Sequence, residues 1–69
     1  MNRTPVSSDN LMSVGYEPSS MTLEIEFKSG RIYQYFDVPE TVYQELMTAP
    51  SHGKFFNAYI RSVYRSAQA

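Results

Sequence analysis

Between Leu23 and Lys28 apolar and charged residues alternate without exception: Leu23, Ile25 and Phe27 against Glu24, Glu26 and Lys28. A period of two marks a half-buried strand. Ser29-Gly30 interrupts it, and Ile32-Tyr33-Gln34-Tyr35-Phe36 follows, rich in the aromatic and β-branched residues that suit a pleated surface. The register of this hairpin depends on its loop. A two-residue Ser29-Gly30 loop pairs Phe27 with Ile32 and Ile25 with Gln34, and sets Glu24 and Glu26 against the two tyrosines. A three-residue loop, Lys28-Ser29-Gly30 with Gly30 left-handed, shifts the pairing by one and puts Leu23, Ile25 and Phe27 on the face of Tyr33 and Tyr35. A one-residue slip turns every side chain to the other face. The apolar pattern therefore favours the three-residue loop, with Tyr33 and Tyr35 in the core and their hydroxyls at its rim.

The other elements follow from this hairpin. Met1 to Ser7 is polar and reads as a loose arm. Leu11 to Tyr16 reads as a first strand, in which Gly15 marks a bulge or a close backbone approach. Ser7-Ser8-Asp9-Asn10 before it has the side chains of a self-bonded turn, and Glu17-Pro18-Ser19-Ser20 is a connecting turn. Beyond Val38-Pro39 the period changes. Val42, Tyr43, Leu46 and Met47 share one face of a helix drawn from about Pro39 to Thr48, and Ala49-Pro50 stops it. Ser51 caps a second helix, from about His52 to Tyr64. At about 100° per residue, Phe55, Phe56, Tyr59, Ile60, Val63 and Tyr64 fill one half of that helix. Arg61 and Arg65 fall within about 20° of Lys54 on the opposite side. The three form a basic stripe flanked by Asn57 and Ser62, while His52 points towards the apolar half. The expected fold is α+β: a three-stranded antiparallel β-meander followed by two α-helices packed on one face. The core runs from about residue 7 to 65, with 1–6 and 66–69 as loose tails. The tyrosines, Phe27, Phe55 or Phe56, Tyr59 and Ile60 are its expected contents.

Composition narrows the classes. Sixty-nine residues make one domain near the lower limit for a self-sufficient core. With no cysteine, neither a disulfide nor a thiolate metal site can reinforce it. No apolar run approaches the roughly 20 residues of a membrane span, and the first residues lack a signal-peptide stretch, so a cytoplasmic protein is expected. The net charge of −1 argues against strong, indiscriminate nucleic-acid binding. Its distribution is uneven, however. Residues 1–50 hold all seven acids and three bases, Arg3, Lys28 and Arg31, whereas residues 51–69 hold Lys54, Arg61 and Arg65 with no acid.

The order of signals resembles the KTSC domain, named from the C-terminal extension of some lysyl-tRNA synthetases. The resemblance rests on Ser7-Ser8, on Val14-Gly15-Tyr16, and on Leu23-x-Ile25-x-Phe27-x-x-Gly30-x-x-Tyr33-x-Tyr35-x-x-Val38-Pro39. It continues through Val42-Tyr43 and Ser51-x-Gly53-x-x-Phe56-Asn57-x-x-Ile60-Arg61-x-x-Tyr64. It covers the chain from about Pro5 to Tyr64 and implies a stand-alone version of the domain. RNA binding is the role usually suggested for the family.

Candidate chemistry is sparse. Lys54, Arg61 and Arg65 could neutralise phosphates, each contact adding to a salt-dependent affinity; a solvated face with ion-paired arginines is the plainer reading. Tyr33 and Tyr35 could stack unpaired bases, but the apolar face they share demands cover, so core packing is favoured. Ser51, His52 and Gly53 open a helix whose N–H groups, with Lys54, could hold an anion; ordinary capping by Ser51 and close packing at Gly53 is the simpler account. Glu24 and Glu26 read as a solvated strand face that discourages edge pairing, and His52 as a packing or capping residue. No nucleophile, base and acid can be assembled, and no metal or cofactor site. The leading expectation is a non-enzymatic module that contacts RNA (tRNA or a single strand) weakly through Lys54, Arg61 and Arg65, with Arg31 and the Ser51–Gly53 turn assisting. The alternative is a protein-interaction module or homodimer using the edge strand or an open face bearing Ile32 and Phe36. No membrane contact is expected.

Overall fold

The computed structural model describes residues Met1–Ala69. Five strands form one antiparallel sheet in chain order: β1 (Arg3–Pro5), β2 (Leu11–Glu17), β3 (Thr22–Phe27), β4 (Ile32–Tyr35) and β5 (Ser66–Gln68). Two helices, α1 (Glu40–Thr48) and α2 (His52–Tyr59), lie between β4 and β5 in the chain. The expected meander is its centre, and both segments expected to be loose are its edges.

The hairpin takes the three-residue loop. Ile25 pairs with Tyr33 and Leu23 with Tyr35. Phe27 N–H donates to Arg31 O (2.9 Å), and Gly30 stands at φ +95° with open space around it. Glycine is needed there for its backbone, not for room.

β2 contains a device that the alternation conceals. Leu11 and Val14 are three apart, so a regular strand would face them oppositely, yet both are wholly buried. The register slips between Leu11 and Ser13: Leu11 pairs with Phe27, and Ser13 with Glu26. Met12 is the extra residue of the bulge and is exposed. One inserted residue turns Leu11 inward without displacing Val14. Gly15 supplies the close approach instead, because a Cβ there would stand 2.8 Å from the Asn2 carbonyl oxygen. β1 pairs antiparallel with β2 there, Arg3 opposite Gly15, where no side chain holds the Asn2 backbone away.

The helices cover the face carrying Val14, Leu23, Ile25 and Tyr35, and Val38, Leu46, Phe56 and Ile60 complete the buried core. Phe56 meets both Tyr35 and Phe27 edge-on, at 5.3 and 5.6 Å between ring centroids. Tyr43 of α1 stacks on Tyr16 at 4.9 Å, and the Tyr16 hydroxyl donates to Val38 O (2.5 Å). Val42, Tyr43 and Met47 are half-buried beside Leu46, as their spacing requires.

α2 is shorter than its periodicity. It ends at Tyr59, and Ile60 leaves helical geometry at φ −123°, ψ −50°. The inward positions are Gly53, Phe56 and Ile60, a narrower stripe than the apolar half drawn from the sequence. Tyr59, expected in the core, is 61% exposed and rests on Phe55. The early stop has a cause in the sheet. Turning at Ile60 returns the chain to β4, where Phe36 N–H donates to Arg65 O and Ala69 N–H to Ile32 O. Without β5 this side of β4 would be an unpaired edge, so the supposed frayed tail satisfies it.

The second face of the sheet also departs from expectation. Glu24 is buried, with Arg3 from β1 bonded to its carboxylate and Gln34 donating to it at 3.0 Å. Glu26 accepts from the Ser13 hydroxyl (2.8 Å). These side chains form a bonded polar network in which Glu24 and Ser13 are buried, not a row of freely solvated carboxylates. Phe36 lies under the Arg65 guanidinium, 5.5 Å from the ring centroid, and both Ile32 and Phe36 are half-buried.

Candidate functional site

The six basic residues divide by what holds them. Arg3 pairs with Glu24 and lies 3.8 Å from Glu26, and Arg65 pairs with Asp37 at 3.1 Å. Lys28, Arg31, Lys54 and Arg61 have no carboxylate within pairing distance. These four line two adjoining depressions on one side of the molecule.

The first depression, about 550 Å³, lies against the hairpin end of the sheet. Phe27, Tyr33 and Tyr35 supply its apolar surface, and Lys28, Arg31 and Arg61 its charge. Tyr35 is committed to the core, with 4% of its surface exposed, while Tyr33 and Phe27 are half-buried and meet edge-on at 5.9 Å. Burial pushes the Tyr35 hydroxyl pKa up, against the opposing pull of the Arg61 charge. Arg61 is held over the Phe56 ring at 5.8 Å and donates to Asn57 Oδ1 at 3.3 Å.

The second depression, about 580 Å³, is lined by Pro50 and otherwise by polar residues and Gly53, among them Ser7, Ser51, His52 and Lys54. It adjoins the first at Asp9, Asn10 and Lys28, which line both. Ser8 fixes that seam: its hydroxyl accepts from the Asn10 and Leu11 N–H groups, and Lys28 N–H donates to Asn10 O at 2.9 Å. This is the self-bonded turn legible in the serines and Asn10.

Ser51, His52 and Gly53 stand here in structural service. Ser51 Oγ accepts from Lys54 N–H at 3.3 Å, an N-cap. Gly53 is buried against the seam, where a Cβ would stand 2.5 Å from Asn10 Oδ1. His52 Nδ1 lies 2.9 Å from Leu46 O. A carbonyl only accepts, so Nδ1–H is the donor, and it ties the start of α2 to the end of α1.

The basic stripe is therefore not a helix face. Arg61 lies beyond the end of α2, and Arg65 adjoins β5 with its charge turned to Asp37. The structure keeps Lys54, Arg61 and Arg31 together, removes Arg65, and adds Lys28. The period of the hairpin had placed Lys28 merely opposite the core; no local signal ties it to Asn10.

Fold and site together define a small α+β domain, a five-stranded antiparallel sheet backed by two helices, with one basic groove. Residues 7–64 match the KTSC domain model, and the chain belongs to that family. A KTSC domain protein of Yersinia pestis has the same fold in its crystal structure: TM-score 0.96 at 40% identity, covering 99% of this chain and 96% of that one. An uncharacterised protein of Stutzerimonas stutzeri is 46% identical over 57 residues, 83% of this chain and 80% of its own length. A lysine–tRNA ligase of a Nostoc species is 49% identical over 53 residues, 77% of this chain. The matched region is only 9% of that ligase. No helix of the protein is long and apolar enough to cross a membrane.

Proposed function

We propose that the domain is a non-enzymatic module that contacts RNA weakly through the groove formed by Lys28, Arg31, Lys54 and Arg61. The observation that carries this reading is the division of the cations. The two arginines with carboxylate partners lie off the groove, and the four cations without partners all line it. Unpaired cations brought together from the hairpin loop, α2 and the turn after it repel one another, and a bound polyanion removes that repulsion. The similarity to a segment of lysine–tRNA ligases supports RNA over other polyanions. Four phosphate contacts on a single strand give a slope of log affinity against log salt of about −2.8, the behaviour of a modest, salt-sensitive binder.

The test is an NMR titration of labelled protein with short single-stranded RNA, tRNA and matched DNA at low and moderate salt. Shifts at Lys28, Arg31, Lys54 and Arg61 that fade with salt are expected. No shift with any nucleic acid would sink the proposal. The second reading, a protein partner or self-association, would then lead; Tyr59 and Val63, at 61% and 62% exposure, are its observation, and light scattering across concentration its measurement.

A further inference from the structure

The two halves of the groove differ in chemistry, and the difference goes beyond phosphate contact. The half beside α2 is lined by no hydrophobic or aromatic side chain, whereas the half beside the hairpin is floored by aromatic rings. Its volume of about 550 Å³ lies in the small-molecule range of roughly 300–1,000 Å³. We infer that this half takes one unpaired nucleotide, with its base against Phe27 and Tyr33 and its phosphate between Arg31 and Arg61. The inference rests on the groove reading above and adds a class of ligand to it.

Three features support the assignment. Tyr33 is not spent on the core as Tyr35 is: its partner across the sheet is Ile25, but the ring remains half-exposed at the depression. Base–aromatic stacking tolerates any base because every base has a π-face, so one ring edge and one ring face suffice for capture without sequence preference. The tyrosine hydroxyls at the rim are also free to hydrogen-bond: among the tyrosines the Tyr16 hydroxyl alone is tied within the protein, to Val38 O. A duplex would keep its bases stacked and out of reach of this floor, so the site selects unpaired nucleotides. The polar half, with Lys54, then serves the phosphates of the neighbouring nucleotides.

The probes are a single-stranded RNA tetranucleotide, a fully paired RNA duplex and a nucleoside 5′-monophosphate, each titrated against wild type, Tyr33→Leu, Tyr33→Phe and Arg31→Glu. The tetranucleotide should shift Phe27 and Tyr33, and Tyr33→Leu should weaken it by roughly 5- to 100-fold. Tyr33→Phe should stay near wild type, and duplex binding should not respond to either Tyr33 variant. Thermal melts establish that each variant is folded, and Arg31→Glu, at an exposed position, tests the phosphate end independently of the ring. If the monophosphate binds as tightly as the tetranucleotide, the pocket stands and its source is free nucleotide. If the duplex binds as well as the single strand and Tyr33→Leu is silent while Arg31→Glu weakens both, the nucleotide pocket is overturned and the groove reading survives. If none of the three probes binds, both fail.

Discussion

Arg3 and Arg61 carry the same guanidinium and do opposite things with it. Arg3 lies across the sheet and neutralises Glu24, a buried carboxylate that also accepts from Gln34. Arg61 lies over an aromatic ring at the mouth of a depression, with no carboxylate within pairing distance. A charge facing a buried partner cannot leave without stranding that partner. A charge held by a ring and an amide keeps its capacity for an incoming anion. The positions of the acids, not of the bases, separate the structural cations from the available ones.

Charge reversal of the available set breaks this contrast most severely. Arg31→Glu with Arg61→Glu should weaken single-stranded RNA binding by at least roughly tenfold at moderate salt and cut the salt slope by at least about 1.4, the share of two contacts. The melting temperature should hardly change. Unchanged affinity alongside a normal melt would contradict the groove reading.

Arg3→Met should do the reverse. Leaving Glu24 without its cation should remove about 1–3 kcal/mol of stability, a drop of roughly 5–20 °C in Tm for a domain of this size. RNA affinity of the folded protein should stay at wild type. A variant that melts normally would show that Gln34 and water suffice for Glu24.

The same pair sets a pH dependence. The Gln34 hydrogen bond and the Arg3 contacts hold the Glu24 pKa below the ordinary carboxylate range, against the opposing effect of burial. A lowered folded pKa means that the unfolded chain takes up the proton first. The stabilisation is therefore complete above the unfolded value of about 4.3 and is lost as pH falls through the lower folded value. Glu24→Gln should flatten the acid limb of stability against pH, which urea unfolding from pH 7 downward would measure. An unchanged acid limb would remove Glu24 as its cause.

Arg65→Ala should have the smallest effect. Its pair with Asp37 is largely exposed, 77% and 71%, and such pairs contribute about 0–1 kcal/mol. A Tm loss within a few degrees and unaltered RNA affinity are expected. Weakened RNA binding would return Arg65 to the site and contradict its assignment to Asp37.

The sequence alone determined the local elements. Strict alternation from Leu23 to Phe27, with Gly30 in the loop, set the hairpin register, because the wrong register would expose an entire apolar face. The spacing of Val42, Tyr43, Leu46 and Met47 and the cap at Ser51 placed the helices, because capping and amphipathicity act within a few residues. What the tertiary structure decided lies between segments remote in the chain. No glycine or proline marks the end of α2; the helix stops at Ile60 because β4 needs an edge partner and residues 66–68 supply it. β1 looked loose because its anchors, the bare Gly15 backbone and the buried Glu24, are distant in sequence. The bulge at Met12 satisfies two burial demands that one strand period could not. Lys54, Arg61 and Arg31 were legible as candidates from charge alone. Whether each would be free or neutralised depended on which carboxylate the fold brought near, and no one-dimensional period encodes that distance.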